Sequence, residues 1–369
     1  MRRIAILLYV SLLLLFQGGC SASLESDRHD VERLLLIQTM GLDRVEDHLE
    51  MSVSSGLGPE EDPALVMSTA AFGIEDAIAK LQNYSPENQL FYAHVQYLLL
   101  GQEAARADLD HVIEWVDRSP TLRMDTNLLV VKGLAKEAVV GASKQSTDIT
   151  QRLASLDRQA RSAGWTIYTL REAAAALAEG DGALCLAVEA VPAEDAVFTD
   201  EMQSDAVIPA GYAVLGKEGL AGFLSPEESL GAELLTGDPA GLLITVDGCT
   251  MEILDGSAEL AGEYAADGSP AGISVRCRLR TGVLEKPDGR ELSPEALDRA
   301  LSQAVGRWVS GALEQAKNTR CDFLGLKKAV LPTARALARW GPDWPELFPS
   351  LPVGVTVEGT VDRSYDLAE

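Results

Sequence analysis

The sequence predicts a multi-domain α+β fold with mixed or antiparallel sheets and packed helices. Segments that alternate apolar and polar residues, such as Leu49–Val53, are typical of half-buried strands. Segments with apolar residues at helical spacing, such as Gly73–Leu81, are typical of amphipathic helices. The chain has 369 residues, 47% of them hydrophobic, which is enough for two or three domains.

The N-terminal segment has the order of an export signal. Two arginines precede an apolar run over residues 4–16, and the run ends at two glycines and Cys20. This run is shorter than the about 20 residues that a membrane-spanning helix needs. Because a cysteine follows the small pair, the segment resembles a bacterial lipoprotein signal, although Gln17 is unusual at its position.

We therefore expect a signal peptide at 1–19, lipid attachment at Cys20, and a polar tether over 20–32. Two alternatives fit the same hydropathy, namely an ordinary signal peptide with an accidental cysteine and an uncleaved anchor.

The N-terminal α+β region is expected over 33–195, as one unit or two subdomains. Its elements follow from apolar periodicity, from alternation, and from breaks at glycine and proline. The predicted order is a hairpin from Leu34–Leu42 and 48–55, a helix over 73–81, a strand over Leu90–Leu100, a helix over 108–116, a strand over Asn127–Val131, helices from Asp148 and over 170–178, and a strand over Ala183–Val188.

An acidic, poorly periodic stretch over 192–206 is predicted to be a linker, and a C-terminal α+β domain is expected over 206–369. In that domain, serine followed by proline predicts helix starts at Ser225 and Ser293. The remaining expected elements are a hairpin over 207–224, strands around 240–247, 250–254, 256–264 and 272–285, a long helix ending near Thr319, and a closing strand over 351–358.

The charge balance excludes several classes of partner. The formal net charge is −25, which repels phosphate backbones and anionic headgroups. We expect no nucleic-acid binding and no adsorption to membranes through a basic patch. Membrane attachment would then need a lipid or a protein partner.

The sequence offers no reaction, so we expect a non-enzymatic protein without catalytic, cofactor-binding or metal-binding residues. It contains no Gly-x-Ser-x-Gly, P-loop, Gly-x-Gly-x-x-Gly or His-Glu-x-x-His motif. The acidic pairs are expected on solvated surfaces, and the serines at helix boundaries are explained by capping. These are Glu60/Glu61, Asp200/Glu201 and Glu227/Glu228, and Ser119, Ser225 and Ser293.

The histidines, cysteines and tryptophans each leave alternatives. His29, His48, His94 and His111 lack metal-ligand spacing, and His94 is expected in the core or on a sheet face of an apolar strand. Two of Cys185, Cys249, Cys277 and Cys321 could pair in an exported protein, or all could be small buried hydrophobes. Trp308, Trp340 and Trp344 are expected in the core, or one of them as an exposed interface anchor.

The order of these segments resembles the Ger(x)C family, the lipoprotein C subunit of spore germinant receptors. The similarity extends over nearly the whole mature chain. Two local departures occur: Ser-Ala follows Cys20 where the family has Trp-Asp, and Gly325-Leu-Lys replaces Gly-aromatic-Gly. The similar segments are Leu34–Asp43, Gly73–Ile78, Phe91–Ala105, Asp117–Arg123, Gly211–Leu215, Leu220–Glu228, Cys321–Leu326 and Trp344–Val357.

The resemblance implies an α+β protein of about three subdomains, anchored by lipid on the extracytoplasmic face of the cell membrane and so on the spore's inner membrane. It also implies assembly with two integral membrane subunits, one with a large soluble part and one similar to an amino-acid permease. On this basis the chain is expected to be a non-enzymatic receptor subunit in nutrient-triggered germination. The rival hypotheses are an extracytoplasmic ligand-binding lipoprotein of a transporter and an exported hydrolase.

Overall fold

The structure, a computed structural model, describes residues 34–56, 64–119, 121–141, 148–179, 182–191, 206–237, 239–286 and 293–362. The predicted signal peptide, the tether and nearly all of the predicted linker lie outside these residues.

An eight-stranded mixed sheet organises the longer, N-terminal part of the described chain. Its order is β10-β9-β8-β7-β6-β2-β3-β4, and β1 pairs with β5 in a separate two-stranded sheet. The strands are β1 Leu34–Leu36, β2 Thr39–Val45, β3 His48–Ser54, β4 Val66–Ala71, β5 Gln89–Phe91, β6 Tyr97–Gly101, β7 Asn127–Val131, β8 Ala183–Val191, β9 Ala206–Gly216 and β10 Gly219–Phe223.

The four central strands, β8, β7, β6 and β2, are parallel, and antiparallel pairs flank them on both sides. Alternate side chains enter different cores: Leu99 and Leu129 pack on one face, and Leu98 and Leu128 on the other. Because helices cover both faces, these strands are nearly continuous apolar runs.

Six helices connect the strands of this part. They are α1 Ile74–Tyr84, α2 Gln102–Ala107, α3 Leu109–Arg118, α4 Ala135–Gly141, α5 Ile149–Ala163 and α6 Leu170–Ala178. In α1, Ile74, Ala77 and Leu81 are buried, as their spacing predicts. The short helices α2 and α4 were not predicted from the sequence.

A four-stranded sheet with helices forms the rest of the described chain. Its order is β11-β12-β13-β14; β13 and β14 are parallel, and the other pairs are antiparallel. Apolar residues of α8 pack against the inner face of this sheet. The elements are α7 Pro226–Thr236, β11 Leu243–Val246, β12 Cys249–Tyr264, β13 Pro270–Glu285, α8 Pro294–Thr319, α9 Leu326–Val330, α10 Ala334–Trp340, α11 Trp344–Leu347, a 3-10 turn Phe348–Ser350 and β14 Val353–Asp362.

Local capping explains the two helix starts that the sequence predicts, and both are confirmed. The Ser225 hydroxyl accepts from the Glu228 N–H, and the Glu228 carboxylate accepts from the Ser225 N–H. The Ser293 hydroxyl accepts from the Ala296 N–H at 3.2 Å. The α+β fold class is confirmed as well.

Two predicted strands are wrong, because the chain changes sheet within each. Leu34–Leu42 divides into β1 and β2 at Ile37, whose N–H donates to the Phe91 carbonyl at 2.9 Å. Leu90–Leu100 divides into β5 and β6 around a turn that contains His94. His94 is therefore an exposed turn residue and does not lie in the core or on a sheet face.

The predicted domain boundary does not coincide with an edge of the large sheet. β9 pairs antiparallel with β8, and β10 pairs with β9, so strands on both sides of 192–205 belong to one sheet. The division into an N-terminal region at 33–195 and a C-terminal domain from 206 remains a prediction.

Candidate functional site

The predicted lipid-attachment residue, Cys20, lies outside the described residues, so its role remains a prediction. Within the described part of the chain, every helix is too short or too polar to cross a bilayer.

Asp43 is a buried carboxylate near the carboxyl end of β2, where it caps α4. One side-chain oxygen accepts from the Ala135 N–H at 2.7 Å, and the other accepts from the Lys136 N–H at 2.8 Å. The side chain is almost completely buried. Burial raises the pKa of Asp43, and the two backbone hydrogen bonds act in the opposite direction.

Charged neighbours surround this cap and pair with one another. The Lys136 ammonium contacts the Glu50 carboxylate, which lies directly across the β2–β3 ladder from Asp43. On the opposite face of β2, the Arg44 guanidinium binds both carboxylate oxygens of Asp108. Each of these charged groups is therefore neutralised by a partner within the fold. The two pairs hold β2 and β3 next to the starts of α4 and α3.

Asp322 has the same capping geometry at the start of α9. Its two oxygens accept from the Leu326 N–H at 2.8 Å and from the Lys327 N–H at 2.6 Å. The second oxygen also accepts from the Trp344 indole N–H at 2.9 Å. Trp344 in turn stacks on Phe348 with ring centroids 5.5 Å apart. Asp322 therefore joins the segment after α8 to the last helices before β14.

A third buried polar group connects β9 to α7. The Tyr212 hydroxyl donates to the Glu233 carboxylate and accepts from the Thr166 N–H at 2.6 Å. Burial raises the pKa of Glu233, although hydrogen bonds from Tyr212 and Thr166 act against that rise. Tyr212 belongs to the large sheet and Glu233 to α7, so the pair fastens that helix to the sheet.

Two of the clefts lined by described residues differ in polarity. A polar one of about 320 Å³ lies at the amino ends of β6 and β7, and an apolar one of about 180 Å³ lies beside α6. In the polar cleft, the Arg123 guanidinium and the Asp125 carboxylate hydrogen-bond each other. His94, Gln96, Asn127 and Asp157 also line it.

The other residues considered in the sequence as possible ligands, disulfide partners or interface anchors lie in the following places. Among the described residues, no three His, Cys, Asp or Glu side chains converge as a metal site. Cys185, Cys249, Cys277 and Cys321 are all buried without a disulfide between them, which agrees with the small-hydrophobe alternative. Trp308 and Trp344 are core residues and Trp340 is half-buried. Glu228 and Ser293 cap helices, and Ser119 follows the end of α3; Glu60, Glu61, Asp200, Glu201 and His29 lie outside the described residues.

The outer face of the C-terminal sheet is charged. Three arginines alternate along the central strand β13, and each pairs with an acidic residue of a neighbouring strand. The pairs are Arg276–Glu259 at 3.7 Å, Arg278–Glu358 at 3.2 Å and Arg280–Asp362 at 3.8 Å. The opposite charges of each pair neutralise one another on this face. Because the pairs are exposed, they contribute little to stability.

The segments around Asp43 and Asp322 are among those that resemble the family, but neither aspartate was predicted to have a role. The available signal was a nearby glycine, two residues before Asp43 in Gly41-Leu-Asp43 and three residues after Asp322 in Asp322-Phe-Leu-Gly325. No local pattern identifies Ala135 or Lys136 as partners of Asp43, because they are more than 90 residues away.

Two family models match the chain. The one described as "Spore germination protein N-terminal domain" matches residues 27–188, and the one described as "Spore germination B3/ GerAC like, C-terminal" matches residues 210–365. A comparison with curated proteins gives no significant match.

One solved structure is similar, described as "Crystal Structure of the GerBC protein". It has a TM-score of 0.54 and 14% sequence identity, covering 87% of this chain and 96% of that chain. At this identity the likeness concerns the fold. Together, the two family models include residues of all three sheets and almost every described element, and on this evidence the chain belongs to the Ger(x)C, or GerAC-like, family of spore germination proteins.

Proposed function

We propose that this chain is a non-enzymatic, lipid-anchored subunit of a spore germinant receptor complex. The observation that carries the proposal is the match of both family models, in order, over residues 27–188 and 210–365. Cys20 would hold the folded chain on the extracytoplasmic face of the membrane, and two integral membrane subunits, one permease-like and one with a large soluble part, would be its partners.

The chemistry of the described residues supports a scaffold role. Asp43, Asp322 and Glu233 are buried carboxyl groups among the described residues, and each is engaged by backbone or side-chain donors of the fold itself. A general acid or base needs a proton-transfer partner on a substrate, and these groups are directed inward.

The negative net charge of the chain supports anchoring through a lipid and not through electrostatic adsorption. With a net charge of −25, the chain gains nothing from anionic headgroups, so membrane attachment would depend on lipid and on specific docking. One acyl chain gives a weak and reversible anchor, whereas two or more give stable attachment. Confinement to the membrane plane would raise the effective concentration of this subunit beside its partners.

The transporter hypothesis predicts two α/β lobes around a cleft. The large sheet has a parallel centre, but the second sheet is antiparallel except for the β13–β14 pair. This difference favours the receptor subunit over the transporter protein.

The anchor is tested by Cys20→Ala. The variant should lose fatty-acid labelling and leave the membrane fraction, whereas Cys321→Ala, which removes another cysteine, should keep both. Labelling that persists in Cys20→Ala would refute the lipoprotein assignment.

The receptor role is tested genetically. Neighbouring reading frames should encode the two membrane subunits, and deletion of this chain should abolish the germination response to nutrient. A normal response after deletion, without such neighbours, would refute the role.

A further inference from the structure

An apolar cleft lies where the two parts of the described chain meet. Its volume is about 180 Å³. One wall comes from α6 and from β8 of the large sheet, which lie within residues 27–188. The other wall comes from Thr236, at the end of α7, and from Phe323, which follows α8; both lie within residues 210–365. A molecule in this cleft would therefore contact both segments that the family models match.

Small and aromatic side chains give the cleft an apolar interior. Ala173, Ala183 and Leu184 line it and are buried. The rings of Tyr168 and Phe323 line it as well, and Phe323 is buried too. Because alanine carries only a methyl group, the space between these two rings stays open.

The two walls are held in position by direct packing beside the cleft. A Cβ added to Gly182, which also lines the cleft, would lie 2.7 Å from the Cβ of Cys321. A Cβ added to Gly216 of β9 would lie 2.7 Å from the Cys321 Sγ. Phe323 follows Cys321 by two residues, so its ring is fixed relative to the large sheet. The cleft is therefore preformed, as small-molecule sites usually are.

The polar side chains at the rim of the cleft are engaged by the fold. The Thr236 hydroxyl donates to the Ala232 carbonyl at 2.9 Å. One oxygen of the Glu172 carboxylate accepts from the Thr169 N–H at 2.7 Å and from its hydroxyl at 2.8 Å, and the negative charge lies at the N-terminus of α6. This carboxylate would repel an anion, and among the described residues that line the cleft none is basic.

We infer that this cleft binds a small, uncharged, apolar molecule, about the size of a benzene ring with one substituent. The size follows from the volume, since an apolar cavity of about 150 Å³ is enough to bind benzene. The charge class follows from the lining, because an ion without a partner is costly to bury. The inference goes beyond the proposed function and does not depend on it, since the fold of this chain alone forms the cleft.

Toluene and benzoate are matched probes, because they share the ring and differ in charge. The full chain would be purified in detergent after labelling of its seven phenylalanines with para-fluorophenylalanine. The fluorine NMR signal of Phe323, assigned with Phe323→Leu, reports on the cleft itself. We expect toluene to shift this signal until it saturates, and benzoate to leave it unchanged. The other phenylalanine signals show the general effect of each probe on the protein and the detergent.

Two substitutions fill the cleft from opposite walls. Ala176→Leu acts from α6, where Ala176 lines the cleft and is half-buried. Thr236→Leu acts from the end of α7, where Thr236 is exposed. Each should raise the toluene concentration at half-saturation by about tenfold or more, because leucine occupies the volume that the ring needs. Ala175→Leu is the matched control on the exposed side of α6, and it should bind toluene as wild type does.

Thermal melting would identify a variant that does not fold, and the other variant then decides. The inference is overturned if toluene gives no saturable shift of the Phe323 signal, or if the folded cleft-filling variants bind toluene as wild type does. Benzoate, or the cationic probe benzylamine, binding more tightly than toluene would overturn the assignment of an uncharged ligand. None of these results bears on the receptor role, which the deletion experiment tests.

Discussion

Gly101 and Asp43 share one space at the carboxyl ends of β6 and β2: a Cβ at position 101 would lie 1.9 Å from a carboxylate oxygen of Asp43. The carbonyl of Gly133 lies 3.1 Å from the same point, so the backbone also closes the site. The cap on α4 therefore requires glycine on the neighbouring strand.

Gly101→Ala should destabilise the fold by about 3 kcal/mol, because overpacking next to backbone forces the carboxylate and β2 to move. Urea denaturation followed by circular dichroism measures the loss. Gly354→Ala is the control, since an added Cβ there meets no atom within 4 Å. Equal stability of the two variants would contradict this account of the cap.

Asp43→Asn should cost about 1–3 kcal/mol of unfolding free energy. Asparagine keeps one side-chain oxygen, whereas two backbone N–H groups need an acceptor at this site, so one N–H becomes buried without a partner. The same denaturation measurement applies, and Asp117→Asn on the exposed side of α3 should change stability by less than about 0.5 kcal/mol. A cost no larger than that of the control would show that the cap is dispensable.

Glu233→Gln should become relatively more stable as pH rises. The folded protein holds the Glu233 proton more tightly than the unfolded chain does, because burial raises its pKa above the ordinary 4.5. The wild type therefore loses stability as pH rises from about 4.5 through the raised pKa, and the glutamine variant is spared that loss. Denaturation between about pH 4 and about pH 8 measures the difference. Glu259→Gln on the outer sheet face is the control, and a difference that stays constant with pH would contradict the prediction.

The thiols of the four described cysteines should react slowly with Ellman's reagent in the folded chain and rapidly in denaturant. All four are buried, and burial raises the pKa of Cys277 from 9.0 to about 11. That shift alone lowers its thiolate fraction at neutral pH about 100-fold. Cys20→Ala removes any contribution from the predicted lipid site. Rapid reaction of the native variant would show that a described thiol is accessible.

The sequence predicted those elements whose signals are local. Ser225 and Ser293 stand beside the groups that they cap, and α8 ends at Thr319 as expected, because its apolar stripe continues to that point. The sequence alone could not predict which distant segments would pair with each other, because that depends on the order of the strands in the folded sheets. The Ile37 N–H still bonds the Phe91 carbonyl beside β1, whereas the next N–H, that of Gln38, bonds the Ser54 carbonyl of the large sheet.

The sequence does contain a pattern that predicts the parallel centre of the large sheet. Leu98–Leu100, Leu128–Val131 and Ala183–Val188 are continuous apolar runs, which are typical of strands buried on both faces. The capping role of Asp43 could not be predicted from the sequence. The helix that it caps, Ala135–Gly141, is too short to be recognised by periodicity, and it lies far along the chain.

β14 follows its partner β13 in the chain only after several helices, and this spacing sets the order in which the C-terminal sheet can assemble. β13 is a 16-residue strand. One of its edges stays unpaired until β14 has been synthesised and has paired with it. During synthesis, which delivers the N-terminus first, the unpaired side of this long strand is open to mispairing with other chains. A variant that lacks Val353–Asp362 would keep this side of β13 unpaired.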